Sequence, residues 1–242
     1  MIVVQIGYSQ AETWAARVYG DAKPARMEDI PSLPRSGWMP VGSVEFCRAA
    51  MAHQGVMPSL VSTYPEVLRS FLRRHIWTGK ALQVRTSEQR FFVKPLDHKV
   101  FTGFLWPDGG FDQYQFMAQP DDLPVWCSDV VSFSSEWRYY VCEGEIVGSG
   151  RYDDGSDDAP MPDLKVIDAM LHAFQPEAPA GYGLDLGVLD NGETALVEIN
   201  DGWGSLGLYK GTCSSRDYLR LLNARWTEIA ARQPLPLNPN GL

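Results

Sequence analysis

The stretch LDLGVLDNGETALVEIND, residues 184–201, decides how this chain is to be read. Asn191-Gly192 is the strongest short-range signal for a two-residue hairpin turn. With those residues at the turn centre, Asp190 faces Glu193 and Leu189 faces Thr194, and the register runs on until Asp185 lies opposite Glu198. Strand side chains alternate between faces with period two. Leu184, Leu186, Val188, Ala195, Val197 and Ile199 then share an apolar face, while Asp185, Glu198 and Asn200 share the other. Like charges directly opposite each other on a sheet repel. A hard cation such as Mg2+ between them would remove the repulsion, because it takes carboxylate and carbonyl oxygens. The alternative is a solvated face carrying two unrelated acids.

Outward from that hairpin, a second one reads the same way. In EWRYYVCEGEIVGSGRY, residues 136–152, a turn centred on Glu143-Gly144 pairs Cys142 with Glu145, Arg138 with Ser149 and Glu136 with Arg151. Both arginines then share a face, and on the reverse face Trp137 lies across from Gly150 and Tyr139 across from Gly148. Guanidinium geometry suits a clamp on phosphate oxygens. A surface Glu136–Arg151 pair accounts for the same residues. A third cation, Lys94, stands among Phe91, Phe92, Val93 and Leu96 in RFFVKPLDHKVFTGF. Lysine is rarely buried without a partner, so this one either snorkels to solvent or meets an anion. Lys99 reads as an exposed loop residue. Trp126, Phe133, Phe91 and Phe92 could wall an adenine ring, and core packing explains them equally well.

Composition narrows the class. At 242 residues the chain can bury a substantial core. A formal net charge of −9 argues against a broad nucleic-acid or anionic-membrane surface. Cys47, Cys127, Cys142 and Cys213 form no CxxC pair, which predicts reduced thiols in a cytoplasmic setting. The opening IVVQIG is too short for a signal peptide, and no apolar run is long enough to span a bilayer. GxxxxGK[ST], HExxH and GxSxG are all absent, and QIGYSQ after the first strand is not GxGxxG.

Along the chain, residues 2–6 read as a buried strand, followed by a proline-containing loop. A helix capped by Ser43 and stopped at Gly55 comes next, then a second helix in STYPEVLRSFLRRH. Short strands are expected at 81–86, 90–96, 99–105, 125–133, 136–142 and 145–151. RYDDGSDDAPMPD reads as a mobile acidic loop, and a helix at 163–174 capped by Asp163 follows it. Ser214-x-x-Asp217 starts a long amphipathic helix to about Arg232, and the Pro-rich end reads as irregular. These elements suggest a small α/β lobe over residues 1–78 and a second domain over 79–242.

Taken in order, FVKP, VWCSDVVSF, EWRYYV with GSGRY, the Asp of LDLGVL, and VEIND before a Gly-rich loop resemble an ATP-grasp domain. The likeness runs from about residue 80 to 210 and is closest to the compact, arginine-using ATP-grasp proteins of bacteria and phages. It implies an α+β fold in which two α+β subdomains sandwich the nucleotide behind a small α/β lobe. It further implies ATP and Mg2+, with Lys94 on the nucleotide phosphates and Arg138 and Arg151 on phosphate or substrate anion. Asp185, Glu198 and Asn200 take the metal. The backbone of Ser128, Asp129, Val130 and Val131 meets the adenine, and Glu136 or Asp129 meets the ribose or exocyclic amine. The usual glycine-rich lid is represented only by DHKVFTG, and Arg85 is nearest to the missing second lysine.

The resemblance implies carboxylate–amine (or thiol) ligation through an acyl phosphate, on small-molecule or peptide substrates. A kinase acting on a hydroxyl and a nucleotide-binding module without turnover are the two rival readings. Trp203, in the Gly-rich loop, either shields the intermediate from water or packs as a loop anchor.

Overall fold

A computed structural model of the chain describes residues 1–57, 61–96, 100–156 and 158–232. Lys99 and the Pro-rich stretch from 233 onward lie outside the described residues. Helices and sheets are mixed throughout, and the fold is α+β. The chain divides into two compact units, one formed by Met1–Phe71 with the chain from Ser134 onward, the other by Leu72–Phe133. This partition departs from the division expected at residue 78. The N-terminal lobe belongs with the C-terminal half, and the middle stretch stands as its own unit.

The core of the first unit explains the partition. Strand β1 (Ile2–Gln5) lies between β2 (Lys23–Ala25) and β3 (Met39–Val41), all parallel. Helix α1 (Gln10–Tyr19), absent from the sequence reading, and α2 (Val44–Gln54) accompany them. Ser43 caps α2 by accepting from the Phe46 N–H at 3.2 Å. The long helix of the C-terminal half, here α6 (Ser215–Ala231), turns Tyr218, Leu221, Leu222 and Ile229 inward. They meet Val4, Ala15, Ala16 and Val41 in one cluster, so the lobe's apolar faces are closed by residues from the far end of the chain. A fully buried leucine contributes about 1.5–3 kcal/mol.

The second layer of this unit is an antiparallel sheet in the order β11-β10-β8-β9. Its strands are β8 (Phe133–Cys142), β9 (Glu145–Arg151), β10 (Gly181–Leu189) and β11 (Thr194–Asp201). Helix α5 (Leu164–Phe174) is capped by Asp163, which accepts from the Lys165 N–H at 2.8 Å. Asp185 faces Glu198 as expected, by a route the sequence did not reveal. The turn is a three-residue loop in which Leu189 pairs with Glu193 and Gly192 takes φ 84°, so Thr194 faces Val188. A bulge at Val197 then restores the register at Asp185. In consequence Leu196 fills the core position expected of Val197, which is half-exposed.

The other hairpin also carries a bulge, and here it changes the outcome. Beyond Val141, opposite Ile146, the ladder slips by one, so Tyr140 faces Gly148, Arg138 faces Gly150 and Trp137 faces Arg151. Neighbouring residues of a strand point to opposite faces, so Arg138 and Arg151 are not on one face. The glycines serve the segment that follows the polar hairpin. A Cβ on Gly148, at φ 153°, would lie 2.3 Å from the Cys213 Cα, and one on Gly150 2.9 Å from the Tyr209 Cβ. Gly150 instead forms a β-bridge with Gly211.

The second unit is an antiparallel sheet in the order β4-β7-β5-β6, from Ile76–Lys80, Pro124–Ser128, Phe91–Pro95 and Phe104–Trp106. Phe91, Val93, Phe104, Trp106, Phe116 and Val125 make its core. Residues 81–86, expected as a strand, contain the helical turn α3 (Ala81–Arg85). Ala, Leu, Gln and Arg are strong helix formers, and the Gln83 side chain accepts from the Lys80 N–H at 2.8 Å at the start of the turn. Helix α4 (Gly110–Met117) was not foreseen either, and STYPEVLRSFLRRH contains only a 3₁₀ helix, Glu66–Phe71. All four cysteines are free and buried: Cys47 with the β1 layer, Cys127 in the second unit, Cys142 and Cys213 beneath α6.

A buried ion network joins α6 to the end of β11. Arg225 is fully buried; its Nε and Nη2 donate to the Asp201 carboxylate at 2.6 and 2.7 Å, and its Nη1 to Glu228 at 2.8 Å. Burial still holds the Asp201 carboxyl above the ordinary aspartate range, against the pull of Arg225. A raised folded-state pKa favours the fold below the ordinary aspartate pKa, and the gain is lost as pH rises through the raised value. Arg225→Met strips Asp201 of its partner and is expected to lower stability by about 3–5 kcal/mol at pH 7. Urea titrations at pH 7 and pH 4 check this: the deficit should shrink at the lower pH, where Asp201 takes up its proton.

Candidate functional site

One face of the β11-β10-β8-β9 sheet carries most of the expected polar residues. Arg138 on β8 and Asp185 on β10 are both buried and form a two-pronged ion pair, Nε to Oδ1 at 2.7 Å and Nη2 to Oδ2 at 2.6 Å. Asn200 on β11 donates its amide to Asp185 Oδ2 at 2.9 Å and to Glu198 Oε1 at 3.0 Å. Asp185, Glu198 and Asn200 therefore come together with Arg138. The cation that answers the Asp185 charge is this guanidinium, which the like-charge argument had not considered. Burial by itself would lower the Arg138 pKa; the Asp185 carboxylate and its hydrogen bonds outweigh it and raise the pKa. Arg138 stays charged.

Glu136, two residues before Arg138, accepts from the Tyr152 hydroxyl at 2.9 Å. Burial pushes its carboxyl up, the Tyr152 hydrogen bond opposes this, and the charges of Asp185, Asp153 and Glu198 add to the rise. Arg151 has a different place. It lies on the Trp137 face, with its guanidinium carbon 6.0 Å from the indole centroid, and its Nε donates to Asp153 at 2.7 Å. Hydrogen bonds from Arg151 hold the Asp153 carboxyl well below the usual range, and Asp153 also accepts from the Glu136 and Gly155 N–H groups, each at 2.7 Å. The two-arginine clamp and the Glu136–Arg151 cross-strand pair are both replaced by this arrangement. The acidic loop expected to be mobile is anchored at its start.

Among the described residues no three His, Cys, Asp or Glu side chains converge as a metal site. The set on this face is two carboxylates and one amide, all hard oxygen donors of the kind Mg2+ takes. Glu198 and Asn200 fit such an ion best, since both Asp185 oxygens already accept from Arg138.

In the second unit, Lys94 pairs across from Trp126 and Phe92 from Ser128. Strand alternation puts Phe92 and Trp126 on the Lys94 face, half-buried, while Phe91 is in the core. Phe133 lies against the Arg74 guanidinium at 5.8 Å. Ser128 is buried and donates to the Asp129 carbonyl at 3.0 Å; the Asp129 carboxylate accepts from the His75 N–H at 3.0 Å, and Val130 is exposed. Lys94 and Ser128–Val131 belong to this unit, Glu136 and the acidic face to the first.

Sequence reasoning missed Glu12, Tyr140, Tyr152 and Tyr209. The Arg138 guanidinium carbon stands 5.2 Å from the Tyr209 ring centroid and 6.0 Å from that of Tyr152. Tyr152 was reachable, as the aromatic that ends GSGRY. Glu12 had no local signal, because its partner Leu208 is 196 residues away. Trp203 is half-buried against the two core clusters of this unit, a packing anchor.

Among curated proteins, none matches the chain in sequence. Three solved structures share its fold at low identity. A RimK domain ATP-grasp protein from Sphaerobacter thermophilus has TM-score 0.57 and 10% identity, covering 92% of this chain and 98% of its own. A D-cycloserine synthetase has TM-score 0.55 and 14% identity, with 95% and 100% covered. The D-alanine–D-alanine ligase of Bacillus anthracis, complexed with ATP, has TM-score 0.54 and 12% identity, with 96% of each chain covered. The profile of an ATP-grasp domain, family 2 of its clade, matches residues 71–221, more than half of the chain, so this protein belongs to that ATP-grasp family.

Proposed function

We propose that this protein is an ATP- and Mg2+-dependent ligase that joins a carboxylate to an amine (or thiol) through an acyl phosphate. The observation that carries the reading is the Arg138–Asp185–Asn200–Glu198 chain on one sheet face, within the matched ATP-grasp residues. ATP is a substrate. Glu198 and Asn200 would hold Mg2+, with Asp185 behind them, and Lys94 would take a nucleotide phosphate with Phe92 and Trp126 beside it. Bound Mg2+ supplies charge neutralisation on the phosphate oxygens.

The chain's own residues then act by position. A substrate carboxylate oxygen attacks the γ-phosphorus; the new P–O bond forms as the bond to ADP breaks. Arg138, fixed by Asp185, meets charge spreading over the transferring group without reorganising. An amine next attacks the acyl carbon, phosphate leaves, and the nitrogen gives up a proton. No side-chain nucleophile is needed, which suits a site built of cations and acids.

The test is product analysis with Mg·ATP and a panel of amino acids and dipeptides, with hydroxylamine as trap. A ligase gives ADP, phosphate and an amide, and hydroxylamine diverts the acyl phosphate to a hydroxamate. A phosphoester product would mean a kinase, and tight nucleotide binding with no ADP across the panel would mean a binding module.

Nucleotide binding is expected to show in stability. At about 100-fold excess over Kd, Mg·ATP should stabilise the fold by roughly 2.7 kcal/mol. Thermal unfolding with and without millimolar Mg·ATP measures it, and an unmoved Tm removes the nucleotide from the reading.

The two acids should separate in their effects. Glu198→Gln is expected to abolish Mg2+-dependent nucleotide binding and to change stability by less than about 1 kcal/mol, since no buried charge loses its only partner. Asp185→Ala leaves the Arg138 guanidinium buried and unpaired, and should cost about 3–5 kcal/mol. Denaturant titrations beside calorimetric Mg·ATP titrations check both; equal destabilisation would make Glu198 a structural acid.

A further inference from the structure

The proposed chemistry leaves one buried acid unused. Glu12, in the first turn of α1, is 2% exposed. Ser9 stands at the N-cap but makes no side-chain cap bond; its hydroxyl donates to Glu12 Oε2 instead. The other carboxylate oxygen accepts from the Leu208 N–H at 3.1 Å. A buried carboxylate is costly unless hydrogen-bonded, and the positive end of α1 only reduces that cost. An exposed glutamate would serve the helix as well. The buried one serves the segment it reaches.

Residues 206–209 are tied on both sides. Arg138 Nη1 donates to the Leu206 carbonyl. The Tyr140 hydroxyl donates to the Gly207 carbonyl at 3.0 Å and accepts from the Tyr209 N–H at 2.8 Å. Glu12 takes the remaining amide, that of Leu208. Held this way, the Tyr209 ring lies over the Arg138 guanidinium and 5.3 Å from the Tyr152 ring. Of the five guanidinium N–H donors, Asp185 takes two and Leu206 one. Two are left for a ligand, beside an aromatic face that keeps water away and so strengthens a charge contact.

We propose that Glu12 is a positioning residue that, through the Leu208 amide, holds Tyr209 over Arg138 and sets how tightly that guanidinium grips the phosphoryl group in transfer. The inference rests on the reading of Arg138 as a phosphoryl ligand. Glu12 touches no substrate; it acts through the loop.

The test is calorimetric titration of the full chain with Mg·ADP, and then with Mg·ADP and orthovanadate, which stands in for the transferring phosphoryl group. Glu12→Ala and Tyr209→Ala are both expected to weaken vanadate capture roughly tenfold, the loss that goes with one charge-assisted contact. Mg·ADP affinity in these variants should stay within about twofold of wild type, well inside that tenfold. Glu12→Gln keeps an acceptor for Leu208, and Tyr209→Phe keeps the ring over Arg138, so both should restore capture. Tyr209→Ala leaves α1 intact, so it remains informative if Glu12→Ala fails to fold. Capture that is unchanged in Tyr209→Ala, or equally lost in Glu12→Gln and Glu12→Ala, overturns the positioning role and leaves the nucleotide reading standing. Wild type that binds no Mg·ADP overturns both, and is recognised without any variant.

Discussion

The buried ion pair between Arg138 and Asp185 is the constraint around which the polar face is organised. Two desolvated charges at 2.6 Å are tolerated only when their remaining hydrogen-bonding groups are also met. Here Asn200 serves the Asp185 side and the Leu206 carbonyl the Arg138 side. The pair thus fixes three strands and a loop at once. It also leaves Glu198 as the less committed acid of the face, with Asn200 between the two carboxylates.

How much of this could be read from the sequence depends on how local each signal was. Asp185 facing Glu198 was legible because strand alternation and an Asn-Gly turn bracket it. The ladder itself was not, since a bulge has no fixed signature and a one-residue slip leaves composition untouched. In the first hairpin a longer turn and a bulge cancelled; in the second an uncancelled bulge sent Arg151 to the reverse face. The Glu-Gly turn did sit where expected, with Cys142 facing Glu145. Capping residues Ser43, Asp163 and Ser214 marked their helices correctly because caps act within one turn. The turn at 81–85 was misread because a short apolar run does not distinguish strand from helix.

Long-range partners were the blind spot. Nothing near Glu12 predicts Leu208, and nothing near Asp201 predicts Arg225. The same blindness hid why residues 1–71 join the C-terminal half: α1 has a modest apolar face whose complement is on α6. Gly42 donating to the Gly204 carbonyl at 2.9 Å adds a backbone tie between the β3 layer and the loop after β11. The N-terminal lobe is structurally part of the polar face's support.

The buried cysteines have a practical consequence. The thiolate is the species that alkylating and oxidising reagents attack. Burial pushes Cys127 up to about 11 and Cys213 up to about 12, and raises Cys47 and Cys142 as well. The native fold is therefore chemically silent toward such reagents near neutral pH, and each sulfur reacts only during an excursion that opens its surroundings. Because Cys47, Cys127 and the Cys142/Cys213 pair sit in three separate packing clusters, the chain carries its own opening clocks, one for each. Alkylation rates followed by mass spectrometry would rank how often each region breathes, with no label introduced.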